Sequence, residues 1–344
     1  MKYYTLTIFL FSALLTLSSC EKEDPILNNS LTTLTGIFDS AAQNDNLRCL
    51  IVYKDGQIIK EKYLIGDSST THDVRSVTKS VTSTLVGIAI DKGDISSENN
   101  EIGGYLGAYA SSIDPIKSAI RIREILSMTS GISGNEITNP TEYNNWNNAP
   151  NQILYTLNKQ MVSSPGQSFN YNSGASHLLS GILTQATSQT VLNFAETYLF
   201  QPLGINIQYW QKDKQGIYNG GAGLQLTPYD MLKFGRLYLN KGIYNDVRVV
   251  SEDWINKATS FKISTNDIEP FSPNYGYLWW MGNKNGHDYF FANGYGGQFI
   301  LISPDLNLIV IATNNWSGVS IDTANQQWYD TLELIVNRII PLYE

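Results

Sequence analysis

The chain predicts an α+β fold: an antiparallel sheet built from both termini and flanked by helices, with a mostly helical subdomain inserted between its halves. Two clusters of strand-like runs carry this reading, one at residues 48–66 and one over residues 275–315. Between them, over about 94–245, helical runs alternate with loops rich in Asn, Ser and Gly. Strands at both ends around a helical middle are most simply joined as one sheet, with a cleft where it meets the insert. At 344 residues, 42% hydrophobic and 16% charged, the chain is long enough for a sizeable core.

In chain order, "MKYYTLTIFLFSALLTLSSC" has a short basic start, an apolar stretch from Leu6 to Leu17 and small residues before Cys20. That stretch is too short to span a membrane comfortably and reads as a processing signal over residues 1–20. Its ending resembles a lipoprotein signal, which would leave Cys20 as a lipidated N-terminus in a bacterial cell envelope. Residues 21–33 then serve as a polar tether, and residues 34–344 form the folded domain. "RCLIVYKDGQIIKEKYLIG" reads as a hairpin turning at Asp55-Gly56. Cys49 falls in its first strand, where a buried, inert thiol is expected. Residues 76–92 follow as a helix with Val77, Val81, Leu85, Ile88 and Ala89 on one face and Gly93 at its stop. Further helices are expected at 121–128, 150–160, 174–187, 191–199 and 228–241, and a closing one at 322–339. "YGYLWWMG", "HDYFFANG", "GGQFILISP" and "LNLIVIATNN" supply the late strands.

A net charge of -8 argues against nucleic acid, since phosphate binding needs a basic face. His72, His177 and His287 are scattered without metal-ligand spacing, and no phosphate loop or dinucleotide fingerprint appears, so neither a metal nor a cofactor is expected. His177 reads as structural. No Gly-x-Ser-x-Gly elbow is present. What remains is Ser76, three residues before Lys79 at a helix start. Residues so spaced share a face, the helix N-terminus favours an oxyanion, and a lysine of lowered pKa can take a serine proton. Tyr171, in the turn before the 174–187 helix, could exchange a proton with a group in the cleft, although such a tyrosine is more often packed. Glycines in "FFANGYGGQFILISP" mark a bulge, a turn or a close backbone approach.

Taken in order, these residues resemble the serine β-lactamase and penicillin-binding protein superfamily. The nearest branch is the class C-like group of esterases, D-aminopeptidases and 6-aminohexanoate-oligomer hydrolases. "SVTKS" matches the first motif and "YNS" stands where the family has Tyr-x-Asn. "LSMTSGI" is similar to its "LLTHTSGL", with Met128 for histidine. "GGAGLQLTPYDMLKFGRLYLNKG" and "YGYLWW" match two further segments. The likeness runs from about residue 45 to 340 and implies a β-lactamase/transpeptidase-like fold. By position it implies that Ser76 is the acylated nucleophile, Lys79 its general base and Tyr171 a second base or acid. The third motif departs from Lys-Thr-Gly. Tyr295-Gly296-Gly297 and Ala292-Asn293-Gly294 compete for its place; the first is preferred, with the N–H groups of Ser76 and Gln298 as oxyanion donors. Ser173 replaces an asparagine whose two-ended contact one hydroxyl is not expected to reproduce.

The implied activity is a serine hydrolase acting through an acyl-enzyme on a small ester, amide or peptide. A β-lactamase or D-amino-acid peptidase is the alternative, and a β-lactam receptor that acylates without turnover is an alternative of another class. With no cation in either version of the third motif, neutral substrates are expected to outrun carboxylate-bearing ones.

Overall fold

The computed structural model describes residues 32–109, 111, 113–265 and 271–344. The expected signal segment, Cys20 and all but the last two residues of the expected tether lie outside the described residues. Thr33 opens the described fold by capping helix α1 (Leu34–Ala41), its hydroxyl accepting from Gly36 N–H at 3.1 Å.

The sheet has eight strands among the described residues. The N-terminal hairpin gives β1 (Leu47–Lys54) and β2 (Gln57–Tyr63). The C-terminal part gives β3 (Ile263–Ser264), β4 (Asn274–Tyr275), β5 (Trp280–Lys284), β6 (His287–Gly294), β7 (Gln298–Ser303) and β8 (Leu308–Asn314). The spatial order is β2-β1-β8-β7-β6-β5-β4-β3, antiparallel throughout. The predicted α+β class, with its sheet built from both termini, is the fold observed. Asp55 and Gly56 both take positive φ, 51° and 88°, as a tight two-residue hairpin turn requires. β1 then pairs with β8 through Ile51 opposite Ile311 and Val52 opposite Val310. β7 and β8 are buried at every position, so these apolar strands lack the alternation of a half-exposed sheet. Cys49 is buried and unpaired, and burial pushes its thiol well above the ordinary range.

Helix α2 (Val77–Asp91) differs from the one-faced helix that its apolar residues predict. Every residue from Val77 to Ala89 is buried, because α2 runs between the sheet and helix α3 (Ser173–Thr187). Most of its short hydroxyl side chains, Ser83 excepted, tolerate this by bonding groups of their own or neighbouring elements. Ser80 Oγ donates to Leu278 O at 2.7 Å, and Thr82 Oγ1 lies 3.1 Å from Thr78 O and 3.0 Å from Gly220 O. Thr84 Oγ1 meets the Tyr238 hydroxyl at 2.8 Å, from helix α4 (Pro228–Leu239). A polar-looking side of α2 is therefore a second packed face. The chain closes with α5 (Ile321–Leu334), whose last turn continues as a wider π-type turn over Ile335–Ile339.

Gly87 lets the Trp254 indole lie against α2, and a Cβ at this position would overlap the ring. Alanine gains about 0.5–1 kcal/mol of helix propensity, but overpacking a tight core costs about 1–3 kcal/mol. Gly87→Ala should therefore lower the unfolding midpoint in a thermal melt. An unchanged or raised midpoint would show that Trp254 yields freely.

Candidate active site

Ser76 is the residue at which the chain enters α2, with φ −72° and ψ −3°. Its side chain caps no helix N–H, which leaves the hydroxyl for other partners. The residue before it, Arg75, sits at φ +50°, a left-handed conformation that costs a non-glycine residue roughly 1–3 kcal/mol. Asp73 holds this bend by accepting from Arg75 N–H at 2.8 Å. The guanidinium lies 4.4 Å from the Trp316 ring centroid and 4.9 Å from that of Tyr143, with Asp73 Oδ2 3.7 Å from Nη1.

One turn into α2, Lys79 is 1% exposed. Its Nζ lies 2.9 Å from Ser76 Oγ, 2.7 Å from Ser173 Oγ and 2.8 Å from Gly221 O. Three acceptors match the three N–H donors of an ammonium. Burial nevertheless disfavours the charge and pushes the lysine down to about 8; the Glu136 carboxylate pulls it back up and Arg75 adds to the fall. If Lys79 loses one proton, the same 2.9 Å contact can run the other way, with Ser76 donating to the amine.

Two elements bring the other partners in. Asn172 caps α3 by accepting from Ala175 N–H at 2.9 Å, which sets Ser173 at the start of the helix. Gly221 belongs to a loop packed so tightly on α3 that a Cβ there would stand 3.0 Å from both Ser173 Cβ and Ser173 O. His177 supports this loop. Its Nδ1 accepts from Gly220 N–H at 3.3 Å and its Nε2 meets Asp213 Oδ2 at 3.1 Å. A ring so engaged is structural, as the scattered histidines suggest.

Tyr171 is 8% exposed, and its ring centroid lies 4.8 Å from Lys79 Nζ and 5.5 Å from the Trp280 ring. Ser76, Lys79, Tyr171 and Ser173 thus converge on one point. Ser173 also does more than its sequence suggests. It accepts from Lys79 while donating to Glu136 Oε2 at 2.7 Å, and its backbone N–H donates to Glu136 Oε1 at 2.7 Å. The two-ended contact expected to be lost with the asparagine is made by one hydroxyl used from both sides.

Of the two third-motif candidates, Asn293 is turned towards α5, where its Oδ1 accepts from Trp328 Nε1 at 2.8 Å. Tyr295-Gly296-Gly297 forms the turn between β6 and β7, with Gly296 and Gly297 at φ 75° and 93°. A Cβ on Gly296 would stand 2.6 Å from Trp316 Cβ, so this turn packs on the residue that also stacks with Arg75. Tyr295 is 36% exposed; partial burial pushes its phenol up, and the charge of Arg75 works against that rise. Gln298 is buried, and its side chain bridges to the Asn314 backbone, donating to O at 3.0 Å and accepting from N–H at 3.2 Å.

Glu136, Gly221, Arg75 and Trp280 are the site residues that sequence reasoning passed over. Glu136 had no local signal. It follows the "SMTSGI" loop as an ordinary acidic residue, and only its N–H bond to Tyr171 O at 3.0 Å and its contact with Ser173 bring it in. A cavity of about 610 Å³ lined by Asn44, Thr323, Gln327, Asp330 and Arg338 lies between α1 and α5, and no residue of this Ser–Lys site lines it. Among the described residues, no group of acidic, histidine or cysteine side chains could hold a metal.

A serine paired with a buried lysine at a helix N-terminus, facing a tyrosine, has the makings of an acyl-transfer site. The Beta-lactamase family pattern matches residues 48–331, and the chain belongs to that family. It is 23% identical over 303 residues to the 6-aminohexanoate-dimer hydrolase of Paenarthrobacter ureafaciens, covering 81% of this chain and 74% of that protein. A structure assigned as a 6-aminohexanoate-dimer hydrolase from Bacillus anthracis superposes with a TM-score of 0.74 at 17% identity, over 89% of this chain and 83% of that one. The octameric penicillin-binding protein homologue from Pyrococcus abyssi gives 0.68 at 18% identity, over 91% and 76%. The protein is a serine hydrolase with a β-lactamase/transpeptidase-like fold.

If Ser76 and Lys79 act as one unit, Ser76→Ala and Lys79→Ala should each lower turnover by at least ~10³-fold, with the double variant little worse. Losses that multiply would separate the two residues. Tyr171→Phe keeps the ring against Trp280 and should cost roughly 10²-fold or more if the phenol moves a proton. Near-normal steady-state rates in that variant would remove Tyr171 from the chemistry.

Proposed function

We propose that the protein hydrolyses small amides or esters through an acyl-enzyme on Ser76. The observation that carries this is the buried Lys79 amine 2.9 Å from Ser76 Oγ, with its pKa lowered towards neutrality. Neutral Lys79 takes the Ser76 proton as Oγ attacks the carbonyl carbon. The negative charge that develops on the carbonyl oxygen meets the Ser76 N–H at the α2 N-terminus and the Gln298 N–H after the Tyr295-Gly296-Gly297 turn. Tyr171, against Lys79, passes a proton to the leaving group as the intermediate collapses. The Ser76 proton held by Lys79 replaces the one Tyr171 gives up. Water, its proton drawn off by the same pair, then attacks the acyl carbon; the acid product leaves and Ser76 Oγ recovers a proton.

Substrate charge distinguishes this from the β-lactamase or D-peptidase reading. Tyr295 offers a phenol where a lysine would be needed to meet a carboxylate. The nearby Arg75 guanidinium is stacked between two aromatic rings, with Asp73 already beside it and its side chain 17% exposed. A carboxylate entering here loses hydration without a charge-assisted bond worth about 1.5–3 kcal/mol. Small neutral acyl esters or amides are therefore the better substrates. Cys20 is proposed to hold the enzyme at a bacterial membrane through its lipid.

Steady-state rates for a neutral p-nitrophenyl ester, a linear aminohexanoate amide, a D-amino-acid amide and a chromogenic cephalosporin test the reading. The neutral ester is expected to show kcat/KM at least ~10-fold above the cephalosporin. A cephalosporin preferred tenfold or more would move the protein to the alternative reading. A single burst of product without turnover on every compound would make it a receptor. Cys20→Ala should release active enzyme from the membrane fraction or leave an uncleaved precursor; unchanged attachment would contradict the anchor.

A further inference from the structure

If Ser76 and Lys79 react as proposed, one proton is unaccounted for. Lys79 can accept the Ser76 proton only after losing one of its own, and it is shut away from water. Resting on that serine-lysine reading, we infer that Glu136 receives the lysine's proton through the Ser173 hydroxyl. Glu136 is then the positioning residue that sets the protonation of the catalytic lysine.

The geometry is an unbroken path. Lys79 Nζ donates to Ser173 Oγ at 2.7 Å, and Ser173 Oγ donates to Glu136 Oε2 at 2.7 Å. One Nζ–H bond breaks as an Oγ–H bond forms on Ser173, and the original Ser173 Oγ–H breaks as an Oε2–H bond forms on Glu136. An ion pair becomes a neutral amine and a neutral acid, with no net change in protons. Rotation about Cε–Nζ, a soft staggered torsion, then turns the freed lone pair to Ser76. The remaining lone pairs of Glu136 are also placed, with Oε1 accepting from Ser173 N–H at 2.7 Å.

The environment favours such a transfer. Burial pushes the Glu136 carboxyl up and the Lys79 ammonium down, so the same desolvation penalises both charges of the pair and neither neutral form. Other groups facing the pair are Arg75, whose charge acts on both, Tyr143, whose phenol feels the Glu136 charge, and Tyr171, whose ring lies beside Lys79. Tyr171 handles its proton later, at the leaving group, and Arg75 offers no place for this one. Arg75 is a permanent cation, and the Gly221 carbonyl that also holds Nζ cannot carry it.

The direction of a pH shift separates this role from a merely electrostatic or structural one. In a relay the active species carries one shared proton, and activity is lost at low pH when the pair takes up a second. Glu136→Gln imitates the protonated acid and removes the internal acceptor, so that Lys79 becomes neutral only by rare exchange with bulk water. The first macroscopic pKa of a coupled pair cannot exceed the lysine's own value beside a neutral partner. The acid limb of kcat/KM must then move to higher pH. If Glu136 acts only as a charge that holds Lys79 protonated, removing it must move the limb to lower pH.

The experiment is the pH profile of kcat/KM for p-nitrophenyl acetate with wild type, Glu136→Gln and Ser173→Ala, each checked by circular dichroism. The expected result is an acid limb raised by about one pH unit in Glu136→Gln, with a loss of at least ~10-fold at pH ~6. Ser173→Ala, which breaks the path and keeps the carboxylate, should raise the limb too, and decides the matter if Glu136→Gln does not fold. A limb that falls or stays in place overturns the relay. Activity surviving in Ser76→Ala would instead overturn the serine hydrolase site on which it rests.

Discussion

The structure is organised around one buried amine. A lysine ammonium taken out of water costs several kcal/mol unless each donor meets an acceptor, and Lys79 has three acceptors from three separate places. Ser76 lies on its own helix, Ser173 at the start of α3 and Gly221 in a loop held by His177. The match between donors and acceptors fixes where α2, α3 and that loop stand relative to each other. It also leaves the lysine poised between charge states, because burial works against the charge that those acceptors favour.

The sheet supplies the rigidity that this arrangement needs. β1 and β8 pair directly, so the N- and C-terminal segments close a single platform under α2. The turn after β6 brings Tyr295, Gly296 and Gly297 up beside Trp316 and Arg75, while Gly294 at the end of β6 lets the strand lie against the Val74 backbone. A side chain on Gly294 would overlap Val74 O, two residues before Ser76. The two sides of the site are thus joined by backbone contact, which is harder to perturb than side-chain packing.

Much of this was legible in the sequence, and the failures have physical causes. The Asp55-Gly56 hairpin, the late strands and the helices near 77–91 and 173–187 follow from turn chemistry and periodicity. Ser76 and Lys79 could be paired because a helix places i and i+3 on one face. The complete burial of α2 was not legible, since Ser80, Thr82 and Thr84 look like a solvated face until their cross-element partners are known. Glu136 was invisible because its link to Lys79 passes through a residue 37 positions away. The third motif stayed ambiguous for a related reason. Only the bond from Trp328 to Asn293 shows which polar side chain is engaged elsewhere.

The central claim is that caging Lys79 makes the half-buried Ser76, among many hydroxyls, the one that becomes acylated. Peptide mapping by mass spectrometry after brief exposure to an activated acyl ester or fluorophosphonate tests this directly. The adduct should lie on Ser76 alone, and its rate of formation should collapse in Lys79→Ala while the fold persists. An adduct on Ser173, Ser80 or any other residue, or labelling of Ser76 at an unaltered rate without Lys79, would contradict it.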